Sequence, residues 1–375
     1  MKFSKVFIKG LLLKAGITIG GNKPYDIHVH NEAFYDLVMT SGSLGLGESY
    51  IEKYWDCAQI DEFINRIIRA DLSSEVGKDF KSLARIILAK VKNYQKASQS
   101  ASDISEHYDI GDGWYESFLD NRMVYTCGYW KNATNLDEAQ EAKLNLSCRK
   151  EKIEDGMHIL DIGSGWGSYA KYVLENFKNV TVTGISNCKT HVQYATNTCK
   201  AYKNRVEFQL HDWGKIAGKY DAIASFGMFE HVGPKNYRRF MKKVYNSLSS
   251  DESLFLLHCI SSNTATTSTD PYIQKRIFPG TVIPSVAGIS KATDGLLKLE
   301  DWHLFGQDYD TTLMAWHNNF VKNFPELFKI GKFNERNFRK QVYYFCMCAG
   351  SFRANKNDLS QIVFSKNAAH YNIER

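Results

Sequence analysis

The sequence predicts an α/β protein, a doubly wound, Rossmann-like sheet preceded by a small, mainly helical N-terminal domain. Three observations lead there. From about Lys152 onward, short apolar runs alternate with segments of helical length and periodicity. The first of these runs flows straight into a glycine-rich turn, Gly163-Ser164-Gly165-Trp166-Gly167. Residues 1–100 instead carry their apolar residues at helical spacing. Strands separated by helices require right-handed crossovers, and so a parallel sheet covered on both faces.

Within residues 1–100 the spacing predicts helices over Ile51 to Ala70 and Lys81 to Ser98, interrupted by glycine-bearing turns such as Ser43-Leu44-Gly45-Leu46-Gly47. Lys2, Lys5, Lys9 and Lys14 surround the apolar segment Val6-Phe7-Ile8 and Leu11-Leu12-Leu13. That segment lacks the longer apolar core and small-residue cleavage site of a signal peptide. No stretch is long enough to span a membrane. Two readings of it stand side by side, a helix lying in a membrane interface and a helix packed on the rest of the protein.

Residues 101–375 form the second expected domain. Its elements are strand His158–Ile162, a helix from Trp166, strand Thr181–Ile185, helix Lys189–Lys200, strand Val206–Leu210, strand Tyr220–Phe226, helix Asn236–Leu248 and strand Leu254–Ile260. The stretch Ser261 to Glu300, rich in Ser, Thr, Gly and Pro, is too long for an ordinary connection. An insertion of this kind suits a lid or a binding wall, and it carries Phe278-Pro279-Gly280 and Pro284-Ser285.

The 375 residues are 43% apolar and 23% charged, within the range of globular proteins. Eight cysteines show neither a CxxC pair nor dense spacing, so they read as reduced thiols of a cytoplasmic protein, with no metal site expected. The formal charge of +6 is spread thinly. It is compatible with an anionic membrane surface, nucleic acid or a solvated basic face.

The glycine turn narrows the cofactor. A dinucleotide fingerprint would place glycine at Ser168 and a ribose-binding carboxylate at Ser186-Asn187, and neither is there. Ile159-Leu160-Asp161-Ile162-Gly163-Ser164-Gly165-Trp166-Gly167 instead resembles the cofactor turn of class I methyltransferases, which bind S-adenosyl-L-methionine (SAM). Asp212-Trp213, just after the third strand, stands where an acid can accept the adenine amino proton and an aromatic can cover the ring. Alone, such a pair is more often a surface Asp beside a packed Trp.

Met228-Phe229-Glu230-His231-Val232-Gly233-Pro234-Lys235-Asn236-Tyr237, after the fourth strand, resembles the corresponding string of cyclopropane-fatty-acyl-phospholipid synthases. So do Gly45-Leu46-Gly47-Glu48-Ser49-Tyr50, Glu106-His107-Tyr108-Asp109, Tyr125-Thr126-Cys127-Gly128-Tyr129-Trp130, Asp308-Tyr309-Asp310-Thr311-Thr312-Leu313-Met314-Ala315-Trp316 and Cys348-Ala349-Gly350-Ser351-Phe352-Arg353. The likeness runs through nearly the whole chain. It implies a cofactor site of Tyr125, Thr126, the glycine turn, Ser186, Asn187, Cys188, Lys189, Thr190, His191, Asp212 and Trp213. Ser164 stands where the family usually has Cys, and His191 where it usually has Gln.

The resemblance further implies the reaction: transfer of a methylene carbon to the cis double bond of an unsaturated phospholipid acyl chain, through a carbocation deprotonated by bound bicarbonate. It assigns the bicarbonate to Cys127, Glu230, His258, Tyr309 and the Ile260 backbone. It adds Cys348 to the catalytic set, although alkene methylation has no step that calls for a thiolate. Position agrees for two of these, since Glu230 follows the fourth strand and His258 lies near the end of the fifth, at the carboxyl edge where such sheets bind ligands. Read singly, a His placed like His258 is more often a hydrogen-bonded structural residue, Glu230 is compatible with an acid at a helix N-terminus, and burial as an apolar thiol is the commonest fate of a cysteine such as Cys127 or Cys348. The 22 Phe, 21 Tyr and 7 Trp suit the walls of an acyl groove as well as ordinary core packing.

The partners implied are the phospholipid bilayer, met peripherally at the inner face of the membrane, and its unsaturated acyl chain. Nucleic acid is not expected, and the oligomeric state, a homodimer included, is left open. Two other functions remain in view. One is an N- or O-methyltransferase of a small molecule, since Gly184-Ile185-Ser186-Asn187 is similar to plant N-methyltransferases; the other is a lipid- or RNA-binding module without turnover.

Overall fold

The computed structural model describes residues 2–72, 111–266 and 268–373. The helix expected over Lys81 to Ser98 and the string Glu106-His107-Tyr108-Asp109 lie outside the described residues. In chain order the elements are α1 (Lys2–Lys14), β1 (His28–Val29), α2 (Ala33–Ile51), β2 (Trp55–Asp56) and α3 (Ile60–Arg69). Next come α4 (Asp112–Glu116), α5 (Leu136–Lys150), β3 (His158–Ile162), α6 (Ser168–Asn176), β4 (Thr181–Ser186), α7 (Lys189–Thr198), β5 (Val206–Leu210) and β6 (Ala222–Phe226). Then follow α8 (Tyr237–Ser247), β7 (Leu254–Ser261), α9 (Pro271–Arg276), α10 (Val286–Thr293), β8 (Lys298–Leu304), α11 (Gly306–Lys329), α12 (Glu335–Arg353) and β9 (Asp358–Ser365). Two compact units emerge. One is Met1–His107, Thr269–Pro279 and Leu313–Lys356; the other is Tyr108–Ser268, Gly280–Thr312 and Asn357–Arg375.

The second unit is built on a seven-stranded sheet in the order β5-β4-β3-β6-β7-β9-β8. Strands β3 to β7 are parallel, as their apolar runs and intervening helices predict. The sheet as a whole is mixed rather than purely parallel, because β9 pairs antiparallel with both β7 and β8. Alternation along the strands separates two cores. Leu160, Ile162, Ile223, Phe255 and Leu257 pack with Phe240 and Val244 of α8 and Ile289 of α10. Ile159, Val182, Ala222 and Ala224 pack with Leu144 and Cys148 of α5 and Tyr169 and Val173 of α6. Asp161, Phe226 and His258, whose positions alternate with the first set, therefore lie on the α5 side at the carboxyl end of the sheet.

In the first unit the single helix expected over Ile51 to Ala70 is broken. Trp55 and Asp56 pair with Val29 and His28, and helix resumes at Ile60. The reason is Trp55, fully buried with its ring against Phe34, Tyr50, Phe63 and Tyr343, its Nε1–H donating to the Leu46 carbonyl at 3.1 Å. The run Ser43 to Gly47, expected to be a turn, lies inside α2, which kinks at Gly42. Gly47 is there for contact: a Cβ would come within 2.3 Å of the Tyr272 ring.

Gly350 on α12 does the same where that helix crosses α3, since a Cβ there would lie 2.4 Å from the Asp61 carbonyl oxygen. Gly350→Ala should destabilise the protein by about 1–3 kcal/mol through overpacking. Gly10→Ala on α1, where a Cβ meets nothing within 4 Å, should leave the thermal unfolding midpoint unchanged or slightly raised.

Candidate active site

The glycine turn links β3 to α6, and all three of its glycines have positive φ (82°, 51° and 82°). A Cβ on Gly163 would meet Met228 at 2.9 Å, and one on Gly167 would meet Ala195 at 2.8 Å. A Cβ on Gly165 would meet nothing within 4 Å, so this part of the turn presents bare backbone to open space. The turn is held from behind: Gly163 and Ser164 both donate backbone N–H to the Ile185 carbonyl, at 2.9 and 3.0 Å.

Aromatic side chains gather over it. The Trp166 ring lies 4.8 Å from Tyr115, 6.5 Å from Tyr125 and 4.4 Å from buried His191. After β4, the Ser186 hydroxyl accepts from Cys188 N–H, and Cys188 Sγ lies 3.0 Å from the Thr190 hydroxyl, shaping the entry to α7; Asn187 and Lys189 are exposed. After β5, exposed Asp212 accepts from Gly214 N–H at 2.6 Å, and Trp213 packs edge-on against Phe240 with Arg239 over its face. The side chains of Ile159, Leu160 and Ile162 belong to the two cores, so only their backbone reaches the turn.

The proposed oxyanion residues fall into a buried cluster at the same sheet edge. Glu230, in the turn after β6, accepts from Ile260 N–H at 2.8 Å, while its other carboxyl oxygen is buried without a hydrogen-bond partner. Burial pushes its carboxyl up to about 7. His258 on β7 is fully buried, neither ring nitrogen has a hydrogen-bond partner, and its ring lies between Phe226 (5.5 Å) and Phe305 (5.9 Å). Burial, with the positive charges of Lys143 and Lys150, holds it well below the usual imidazole range, so it is neutral. Burial likewise keeps the Cys127 thiol protonated, and it donates to the Gly128 carbonyl at 3.1 Å.

The geometry gives the Asp308–Thr312 string a purpose. The Thr312 hydroxyl accepts from Gly128 N–H (3.0 Å) and Trp130 Nε1–H (2.9 Å), and Asp308 accepts from Trp130 N–H (2.7 Å). The first turns of α11 thus clamp the segment that carries Cys127, and buried Tyr309 lies between the two clamping residues in the chain. Cys348 belongs to the other compact unit. It lies on α12 in the first unit, where burial, assisted by the charge of Asp270, pushes its thiol up to about 12.

Sequence reasoning missed α5 altogether. Gln140, Lys143, Ser147 and Lys150 recur at helical spacing on it, all buried. Gln140 donates to the Thr126 carbonyl (2.8 Å), Lys143 to the Thr126 hydroxyl (3.1 Å), Ser147 accepts from Gln361 (3.0 Å), and Lys150 pairs with Asp301 (2.8 Å). The signal was present as a polar stripe of period 3 to 4 behind Asn135, which caps the helix by accepting from Glu138 N–H.

A carboxyl bound more tightly to its proton in the folded chain favours folding while protonated. Glu230 should therefore contribute stability at low pH that is lost as pH rises from the ordinary carboxylate range to about 7, and is gone above it. Urea unfolding across that window, compared between the wild type and Glu230→Gln, should show the shallower fall in the variant.

A sequence model of the mycolic acid cyclopropane synthetase family matches residues 95–362. The chain is 42% identical over 356 residues to the cyclopropane-fatty-acyl-phospholipid synthase of Escherichia coli strain K12, covering 95% of this chain and 92% of that protein. It is 30% identical to the S-adenosylmethionine-dependent methyltransferase UmaA of Mycobacterium tuberculosis, over 74% of this chain and all of the other. Among solved structures, mycolic acid cyclopropane synthase CmaA1 complexed with SAH and CTAB aligns with a TM-score of 0.64 at 26% identity, over 71% of this chain and 98% of its own. Coclaurine N-methyltransferase shares the fold, with a TM-score of 0.67 at 21% identity over 86% of this chain and 99% of its own. A family pattern reaching from before α4 into β9, and a relative alike along nearly all of the chain, agree with the turn and the buried cluster: the chain belongs to the mycolic acid cyclopropane synthetase family.

Proposed function

We propose that this protein is a SAM-dependent C-methyltransferase that builds a cyclopropane ring on the cis double bond of an unsaturated phospholipid acyl chain. The observation that carries the reading is the meeting, at one sheet edge, of a glycine turn with open backbone and a dry cluster of polar atoms without partners. The 42% identical relative named cyclopropane-fatty-acyl-phospholipid synthase supports it.

When bound, SAM supplies a methyl group on a sulfonium, and bicarbonate a base for the proton that this carbon loses as the ring closes. Gly165 leaves room for a ligand against the backbone, and Asp212 keeps accepting capacity beyond its bond to Gly214. A small oxyacid fits the chemistry of the cluster: one oxygen of Glu230 and both nitrogens of His258 lack partners, and each such buried atom costs about 1–3 kcal/mol until satisfied. Neutral His258 offers one N–H and one lone pair, and the Cys127 thiol keeps its proton. The Ile260 N–H acts through Glu230, which it orients. Burial excludes water, which would otherwise capture a carbocation.

Membrane contact is assigned to α1. Among the described residues no helix is long and apolar enough to cross a membrane. Helix α1 buries Ile8 and Leu12 but leaves Phe3, Val6 and Leu13 exposed beside Lys9 and Lys14. The part of the insertion after Gly280, whose Val282 N–H donates to the Glu230 carbonyl, is our candidate wall for the acyl chain.

Incubation with SAM and vesicles of cis-unsaturated phospholipid should add one CH2 to the lipid mass and remove the olefinic proton signals. Lipid that gains mass but keeps its alkene would overturn ring closure, and unchanged lipid beside a methylated amine would favour the small-molecule alternative. Glu230→Gln should keep SAM affinity, measured calorimetrically, while turnover falls by roughly two or more orders of magnitude.

The protein should also sediment with anionic vesicles more than with zwitterionic ones, less so as salt rises. Val6→Glu with Leu13→Glu should abolish that difference; persistence in the double variant would remove α1 from the interface.

A further inference from the structure

Two lysines are buried on the same face of α5, and they differ in one respect. Lys150 pairs with Asp301 at 2.8 Å. Lys143, 1% exposed, donates one hydrogen bond to the Thr126 hydroxyl at 3.1 Å and lies 4.9 Å over the Phe226 ring. Among the described residues no carboxylate stands within ion-pair distance of it. A buried ammonium costs several kcal/mol unless compensated, and an aromatic face and one hydroxyl compensate it only in part. The groups that face it are Asp120 in the loop after α4, Cys127 beyond Thr126, Asp161 on β3 and His258 on β7. Burial pushes Asp161 up to about 7, so it is only partly ionised near neutral pH, and Asp120, pushed up to about 6, is already engaged by Arg122 and Val124 N–H.

We propose that Lys143 is a positioning residue of the methyl-transfer site, its ammonium tying the Thr126 segment to α5 and supplying the fixed positive charge against which a small oxyanion is held beside Glu230 and His258. This rests on the bicarbonate reading above. His258 and Cys127 are neutral and Glu230 is only partly ionised near neutral pH, so the cluster offers no cation of its own, and an anion entering a dry region needs one nearby. With Lys150 neutralised by Asp301, Lys143 is the buried cation left with donors to spare. The same charge opposes protonation of His258 and so preserves a lone pair on the imidazole.

The test titrates 13C-labelled bicarbonate into the full-length protein and follows binding by NMR, with His258 read from the spectrum of histidine-labelled protein. Lys143→Gln keeps a donor for Thr126 without the charge, and Lys143→Met removes both. Both should weaken bicarbonate binding by about tenfold or more and raise the pH at which His258 titrates, while SAM affinity of the Gln variant stays within about threefold. Lys143→Arg, which restores the charge, should recover bicarbonate affinity, and failure to recover it would overturn the proposal even if the neutral variants fold poorly. Folded Lys143→Gln binding bicarbonate as the wild type does would overturn the charge role while leaving bicarbonate as the base. Wild-type protein with no saturable bicarbonate binding would overturn both.

Discussion

An ammonium group sealed under the carboxyl edge of the sheet is the constraint around which the second unit is arranged. Lys143 cannot be solvated where it lies, so its surroundings answer it with the Thr126 hydroxyl, the face of Phe226 and two carboxyls at longer range. Those answers come from the loop before α5, β3 and β6. The polar stripe of α5 continues the arrangement, Gln140 holding the Thr126 carbonyl and Ser147 reaching Gln361 on β9. A helix that buried only apolar side chains here would leave the sheet edge without this ordering.

Around that edge the fold separates two tasks. The glycine turn and its aromatic cover leave backbone open, whereas Glu230, His258 and Cys127 sit buried, with His258 neutral, the Cys127 thiol protonated and the Glu230 carboxyl pushed up to about 7. The Asp308–Thr312 clamp on Gly128 and Trp130 shows how residues distant in sequence hold the segment that carries Cys127.

The five parallel strands were legible because each is a short apolar run bounded by turn residues, and their observed limits differ from the sequence reading by two residues at most, as where Tyr220 makes only a single bridge to Leu248. Glu230 and His258 were legible by position, at the ends of β6 and β7. Helix α5 was not, because Gln140, Lys143, Ser147 and Lys150 are interleaved with Leu144 and Cys148 on its buried face and blur the apolar periodicity that would report it. Strand β8 was hidden for a related reason: Leu299 and Leu304 are exposed while Asp301 is buried, the reverse of the usual alternation. The break at Trp55 was invisible because a buried Trp suits a helix and a short strand equally. Its aromatic neighbours include Tyr343, far along the chain.

Strand β9 lies between β7 and β8, and its Gln361 stands opposite His258. During synthesis on the ribosome β7 emerges with one side unpaired, and it stays an open sheet edge until β8, α11, α12 and finally β9 have followed. A bare apolar edge is a template for pairing with other nascent chains. The order of the strands thus leaves the strand that carries His258 as an aggregation-exposed edge of the half-made protein, and makes the arrival of β9 the event that closes it.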